Sequence, residues 1–200
     1  MVKKNGRLKE TELNILKSFF PEGKEITLKE LVKRSGYSYE PVYRTVKKLV
    51  EEKLASFKQF GKTKVYFLNF EKDSVKLAFF LYADGKKQEF SKKHFSIANS
   101  LSELPDDDVD FLAIFGSYAK GNYTKDSDID ILSVTNKQKV LESKIKSLKY
   151  TLGKEPAPVV IPRTEFVKIK NENPQFWKDL IEYGVIFKGY ELFYYLAYLR

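Results

Sequence analysis

There is no cysteine among the 200 residues, so neither a disulfide framework nor a thiolate metal site is open to this chain. Histidine occurs once, as His94, with no ligand or nucleophile partner at a meaningful spacing. It is expected on the surface or as core filling. No apolar run approaches the roughly 18 residues of a membrane span, and the basic start Met1–Arg7 lacks the apolar stretch of a secretory signal. A soluble, cytoplasmic protein with no membrane partner is the expectation. What remains is ample for folding: 42% of residues are hydrophobic and 15% aromatic. The length suits one large or two small domains.

Charge is unevenly spread. Residues 1–70 hold 16 Lys/Arg against 8 Asp/Glu, residues 71–105 hold 6 against 5, and residues 106–200 hold 14 of each. Nearly all of the +9 net charge therefore lies in the first third, as expected of a module that meets a polyanion.

The most informative stretch is FGSYAKGNYTKDSDIDILSV, Phe115 to Val134. The apolar runs Phe111–Phe115 and Ile129–Val134 read as buried strands. In a strand, residues i and i+2 face the same way, so Asp128 and Asp130 converge on one side. Two carboxylates that close repel unless a cation sits between them, and hard oxygen ligands suit Mg²⁺ or Mn²⁺ bound together with phosphates. Gly116 lets the backbone approach a phosphate closely, and Ser117 adds a hydroxyl and an N–H. Lys120 and Lys125, within the same loop, are further candidates for phosphate contact.

A Gly-Ser pair ten residues ahead of Asp-x-Asp resembles the signature of the nucleotidyltransferase superfamily related to DNA polymerase beta. In particular it resembles its minimal nucleotidyltransferases, several of which act as antitoxins beside HEPN-type toxins. The resemblance spans roughly Asp107 to Gly189. It implies a small α/β domain with a mixed sheet, Asp128 and Asp130 as catalytic metal ligands, and Gly116 and Ser117 as holders of the triphosphate. It also implies a divalent metal, an NTP (ATP foremost) and a protein hydroxyl, such as a toxin's, as acceptor. Active relatives carry a third carboxylate on a neighbouring strand. Here that segment runs from Glu155 to Glu165, and its centre, Val159 to Ile161, is apolar. Each glutamate lies about four residues, or ~13 Å of extended chain, from that centre, so neither is expected at the Asp128/Asp130 site.

The first third reads as helices and a hairpin. Leu8, Leu13, Ile15, Leu16, Phe19 and Phe20 form an amphipathic first helix closed by Pro21-Glu22-Gly23. Thr27 with Glu30 makes a capping box for a second, which stops at Ser35-Gly36. Ser38 heads a third, to about Lys53, with Val42, Val46, Leu49 and Val50 as its core stripe. Tyr39, Tyr43, Arg44, Lys47 and Lys48 occupy its other face. Two strand-like runs follow, joined by Gly61-Lys62-Thr63. This order resembles a winged helix-turn-helix domain over residues 7–70. The resemblance places Tyr43 and Arg44 near bases, with Tyr39 on the same DNA-binding face, and Lys47, Lys48, Lys58, Lys62 and Lys64 near the backbone of double-stranded DNA. Winged helices also dock proteins, and Glu40, Glu51 and Glu52 interrupt the basic stripe.

Residues 71–105 read as a helical connector of one long or two shorter helices, with Ala83-Asp84-Gly85 as the expected break, able to supply a homodimer contact. Leu104 to Asp108 reads as a solvated acidic turn, and a basic-faced helix is expected from about Lys137 to Leu152. The aromatic tail Tyr190–Arg200 is read either as core packing or as a self-association surface. The expected fold class is thus α+β with two domains: residues 1–70, the connector 71–105, and a nucleotidyltransferase-like domain over 106–200. Two functions stay open. One is a metal-dependent nucleotidyltransferase with a DNA-binding domain. The other is a catalytically weak, nucleotide-sensing DNA-binding regulator.

Overall fold

A computed structural model of the chain describes residues 8–105 and 109–199, so the acidic triplet Asp106–Asp108 lies outside the described residues. The chain divides into two units, 1–82 and 83–200.

In the first unit, α1 (Glu10–Lys17) ends earlier than its apolar pattern, and Phe19 and Phe20 stay buried in the turn that follows. The Thr27/Glu30 capping box is formed: the Thr27 hydroxyl accepts from the Glu30 N–H, and Glu30 accepts from the Thr27 N–H. It starts α2 (Leu28–Ser35), which stops at Gly36. Next, α3 (Tyr39–Glu51) buries Val42, Val46 and Leu49. The hairpin is β2 (Ala55–Phe60) and β3 (Thr63–Leu68), joined by Gly61-Lys62 with Gly61 at φ +59°. That positive φ suits the two-residue turns that match strand twist. A short strand unseen in the sequence, β1 (Ile26–Thr27), pairs with β3, giving an antiparallel order β1-β3-β2.

The expected break at Ala83-Asp84-Gly85 does not occur. A single helix, α4 (Asp73–Lys93), runs through it and ends instead at His94, before α5 (Phe95–Ser102). One glycine costs a helix only about 1 kcal/mol against alanine, too little to break one held by burial of Val75, Ala78, Phe79, Ala83 and Phe90.

The second unit is built on a four-stranded sheet in the order β6-β5-β4-β7: β4 (Phe111–Ile114), β5 (Ile129–Val134), β6 (Pro156–Ile161) and β7 (Val185–Lys188). The β5/β6 pair is parallel and the other pairs antiparallel, so the sheet is mixed. Pro156 and Pro158 are tolerated because β6 is an edge. Between β4 and β5 lies α6 (Gly116–Lys120); between β5 and β6, α7 (Gln138–Ser147) and α8 (Lys149–Leu152) replace the single helix expected from Lys137 to Leu152, parting at Leu148. Leu112, Ile114, Ile129, Ile131, Val185 and Phe187 share one core with Phe90, Ile97, Leu101, Leu141 and Ile145. After β6 come α9 (Arg163–Glu172) and α10 (Pro174–Tyr183), and α11 (Tyr190–Tyr194) follows β7. Phe166 and Phe193, from α9 and α11, stack on Phe111 at 4.9 and 5.6 Å. Much of the aromatic tail is therefore core: Phe193, Tyr194, Leu196 and Ala197 are buried, with Tyr195 and Leu199 left exposed. Among the described residues no helix is long and apolar enough to cross a membrane.

Candidate functional site

The end of β4 and the starts of β5, β6 and β7 lie along one edge of the sheet. Alternation along β5 decides what faces where. Ile129 and Ile131 go into the α5/α7 core, so Asp130 between them leaves by the other face. Asp128, just ahead of the strand, is exposed and shares that parity. Its loop is fastened by a reciprocal pair: the Thr124 N–H donates to Ser127 Oγ at 2.8 Å, and the Ser127 N–H to the Thr124 carbonyl at 3.2 Å.

Gly116 is pressed against Asp130. A Cβ at position 116 would lie 2.0 Å from Asp130 Oδ2, and the backbone there has φ +66°. Both facts demand glycine. The Phe115 N–H donates to the Asp130 carbonyl at 3.1 Å, and the Ser117 N–H donates to the Asp130 carboxylate. That N–H, expected to serve a phosphate, is thus engaged by Asp130, which leaves the Ser117 hydroxyl. Burial pushes the Asp130 pKa up, the Asp128 charge pushes it further, and the Ser117 N–H opposes both. A carboxylate strained in this way gains from a cation. Two like charges on one face fit a divalent ion that completes its shell with phosphate and water oxygens.

The third carboxylate is where the register differs from expectation. Strand β6 runs from Pro156 to Ile161, so that Val159 to Ile161 is its second half and not its centre, and it pairs Ile129 with Pro156 and Asp130 with Ala157. The Ile129 N–H donates to the Glu155 carbonyl at 3.0 Å. Glu155 therefore stands beside Asp128 rather than far from it, and the two line a cavity of about 640 Å³ with Lys125, Lys149, Tyr150 and Lys154. Its carboxylate is ion-paired with Lys149. Glu165 sits in the first turn of α9. Ala157, opposite Asp130, supplies no ligand. Among the described residues no group of three or more His, Asp or Glu side chains could hold a metal together.

Lys120 pairs with Asp179 at 2.6 Å and lies over the Tyr183 ring. Below the sheet edge, on the core side of α6, a second cavity of about 400 Å³ is walled by Lys86, Glu89, Lys93, His94, Tyr118 and Tyr123, among others. Sequence reasoning missed it. Its one local signal was the pair of tyrosines inside the Gly-Ser to Asp-x-Asp loop.

In the first unit, Tyr39 and Tyr43 stack at 5.9 Å and remain 58% and 44% exposed. Arg44 pairs with Glu40 at 2.5 Å and Lys47 with Glu51 at 4.0 Å. Lys48 is drawn to α1 by Glu12 at 2.8 Å. Lys58 and Lys64 lie over the rings of Phe67 and Phe57, and Lys62 is exposed at the hairpin turn.

Residues 96–187 match the family model described as "Nucleotidyltransferase domain". A 49-residue stretch is 37% identical to a Methanocaldococcus jannaschii protein named "Putative protein adenylyltransferase MJ0141", over 24% of this chain and 50% of that one. The chain thus spans about half the length of the curated relative it matches. No solved structure matches.

Proposed function

We propose that the second unit transfers a nucleoside monophosphate from an NTP, ATP foremost, to a protein hydroxyl. The observation that carries this reading is Gly116 packed on Asp130, with Asp128 beside it on the same side of β5. Asp128 and Asp130 would hold Mg²⁺ or Mn²⁺, which when bound neutralises phosphate charge. Gly116 admits the phosphates to the backbone, and the Ser117 hydroxyl orients them. The acceptor hydroxyl attacks the α-phosphorus and pyrophosphate leaves. The matched family and the name of the M. jannaschii relative support transfer and a protein acceptor. A HEPN-type toxin supplying that hydroxyl follows from the antitoxin resemblance alone.

The first unit is proposed to act as a winged helix on duplex DNA, reading bases with Tyr39, Tyr43 and Arg44 and meeting phosphate with Lys47, Lys62 and Lys64. A second reading, a nucleotide-sensing regulator with little turnover, is favoured by Ala157 opposite Asp130. Radiolabelled NTPs with Mg²⁺ and lysate of the source separate the two. Label on protein that vanishes in Asp128→Ala/Asp130→Ala supports transfer. Nucleotide binding without label supports the sensor.

A further inference from the structure

We infer that the phenol of Tyr150 is an acceptor for the chain's own transfer, so that the second unit nucleotidylates itself. The inference rests on the transfer reading above, which calls for a protein hydroxyl beside Asp128. The cavity that Asp128 and Glu155 line has two hydroxyls on its wall, those of Ser127 and Tyr150. Ser127 is committed: its Oγ accepts from the Thr124 N–H at 2.8 Å and lies 3.2 Å from the Thr124 hydroxyl. The Tyr150 hydroxyl makes no hydrogen bond among the described residues. Tyr118 and Tyr123 line the other cavity, beside His94.

Local structure explains how Tyr150 comes to stand there. Leu148 and Leu152, four residues apart, pack into the core of the second unit. Tyr150, midway between them, therefore leaves on the opposite side of the helix and is 93% exposed. Packing does not account for a tyrosine at this position, since the ring covers next to nothing. Its neighbours fasten it to the loop of Asp128. The Lys154 Nζ donates to the Lys125 carbonyl, Lys149 pairs with Glu155, and the Glu155 carbonyl accepts from the Ile129 N–H at 3.0 Å. The wall that carries Asp128 and the wall that carries Tyr150 are thus tied together, and the phenol stays at the cavity without help from a partner. The step needs no reactant beyond ATP. The Tyr150 oxygen bonds the α-phosphorus, and the bond from that phosphorus to the oxygen bridging to the β-phosphate breaks. Pyrophosphate leaves with that oxygen, the phenol proton passes to water, and Tyr150 is left as a phosphodiester of AMP. Acceptor and site share one chain, so the step is intramolecular.

The purified full chain, incubated with ATP and Mg²⁺ and without lysate, tests this by intact mass and tryptic peptide mapping. The parent chain should gain an AMP on the peptide Tyr150–Lys154. Tyr150→Phe, which removes a single oxygen from an exposed side chain, should lose it with circular dichroism unchanged, and so should Asp128→Ala/Asp130→Ala. The modified fraction should grow at a rate independent of chain concentration. A mixture of the Tyr150→Phe and Asp128→Ala/Asp130→Ala chains should leave both unmodified. No AMP on the parent chain overturns the inference, as does AMP on other residues alone, or AMP on the double-aspartate chain in the mixture. The transfer reading is scored apart, by label that the parent chain places on a lysate protein. Such label without AMP on Tyr150 defeats the inference alone, and no label on either defeats both.

Discussion

Gly116 has no room for a β-carbon, and the conflict is with a carboxylate rather than a flexible apolar tip. Gly116→Ala is expected to cost about 1–3 kcal/mol in urea unfolding and to abolish transfer, because the same displacement moves Asp130. Lys86 gives a pH signature. Its folded pKa lies near 8, below the ordinary 10.5. Between those values the unfolded chain binds more protons, so this group's contribution to stability rises with pH across the window and its penalty is complete below it. Glu182 and Glu89 moderate the penalty. Stability of Lys86→Met relative to the parent should therefore fall steadily as urea melts move from about pH 7 to about pH 10. At this scale the Asp128/Asp130 parity was legible, since it depends on a few neighbouring residues, whereas Gly116, read as a place for a phosphate, has the Asp130 carboxylate against it. Glu155 was not legible, because its place beside Asp128 is set by where another strand enters the sheet.

Helix α4 carries the element-scale lesson. Gly85 reads as a breaker in sequence, yet in the structure nothing lies within 4 Å of a β-carbon added there. Gly85→Ala should stabilise the chain by about 0.5–1 kcal/mol, seen as a higher denaturation midpoint with unchanged slope. Elements announced by paired local signals were readable, such as α2 with its Thr27/Glu30 box and β2–β3 around Gly61. Two-residue β1 was not, having no periodicity to detect, and neither was the parting of α7 from α8 at Leu148, which no glycine or proline marks. The capping box has its own check: Thr27→Ala should cost about 1 kcal/mol.

For the whole molecule, the proposed division of labour makes the two chemistries separable. Duplex affinity should fall steeply with salt, and Arg44→Ala/Lys47→Ala should flatten that slope, as filter binding across a salt series will read. Asp128→Ala/Asp130→Ala should leave the slope unchanged while ending transfer. A slope altered by the aspartate pair, with the fold intact, would mean the modules are not independent. The ion pairs of Arg44 and Lys47 with Glu40 and Glu51 set the size of the effect, since these glutamates repel the same phosphates.

Strand β5 buries Ile129 and Ile131 on one face, and Leu132 and Val134 on the face that also carries the Asp130 carboxylate, between two paired neighbours, β4 and β6. There is no way to loosen Asp130 without unzipping the middle of the sheet, so the site has no private melting point. Heated or titrated with urea, the chain should lose the proposed transfer on the same curve on which it loses its near-ultraviolet dichroism, and the Asp130 amide should exchange with deuterium only as fast as the entire unit opens.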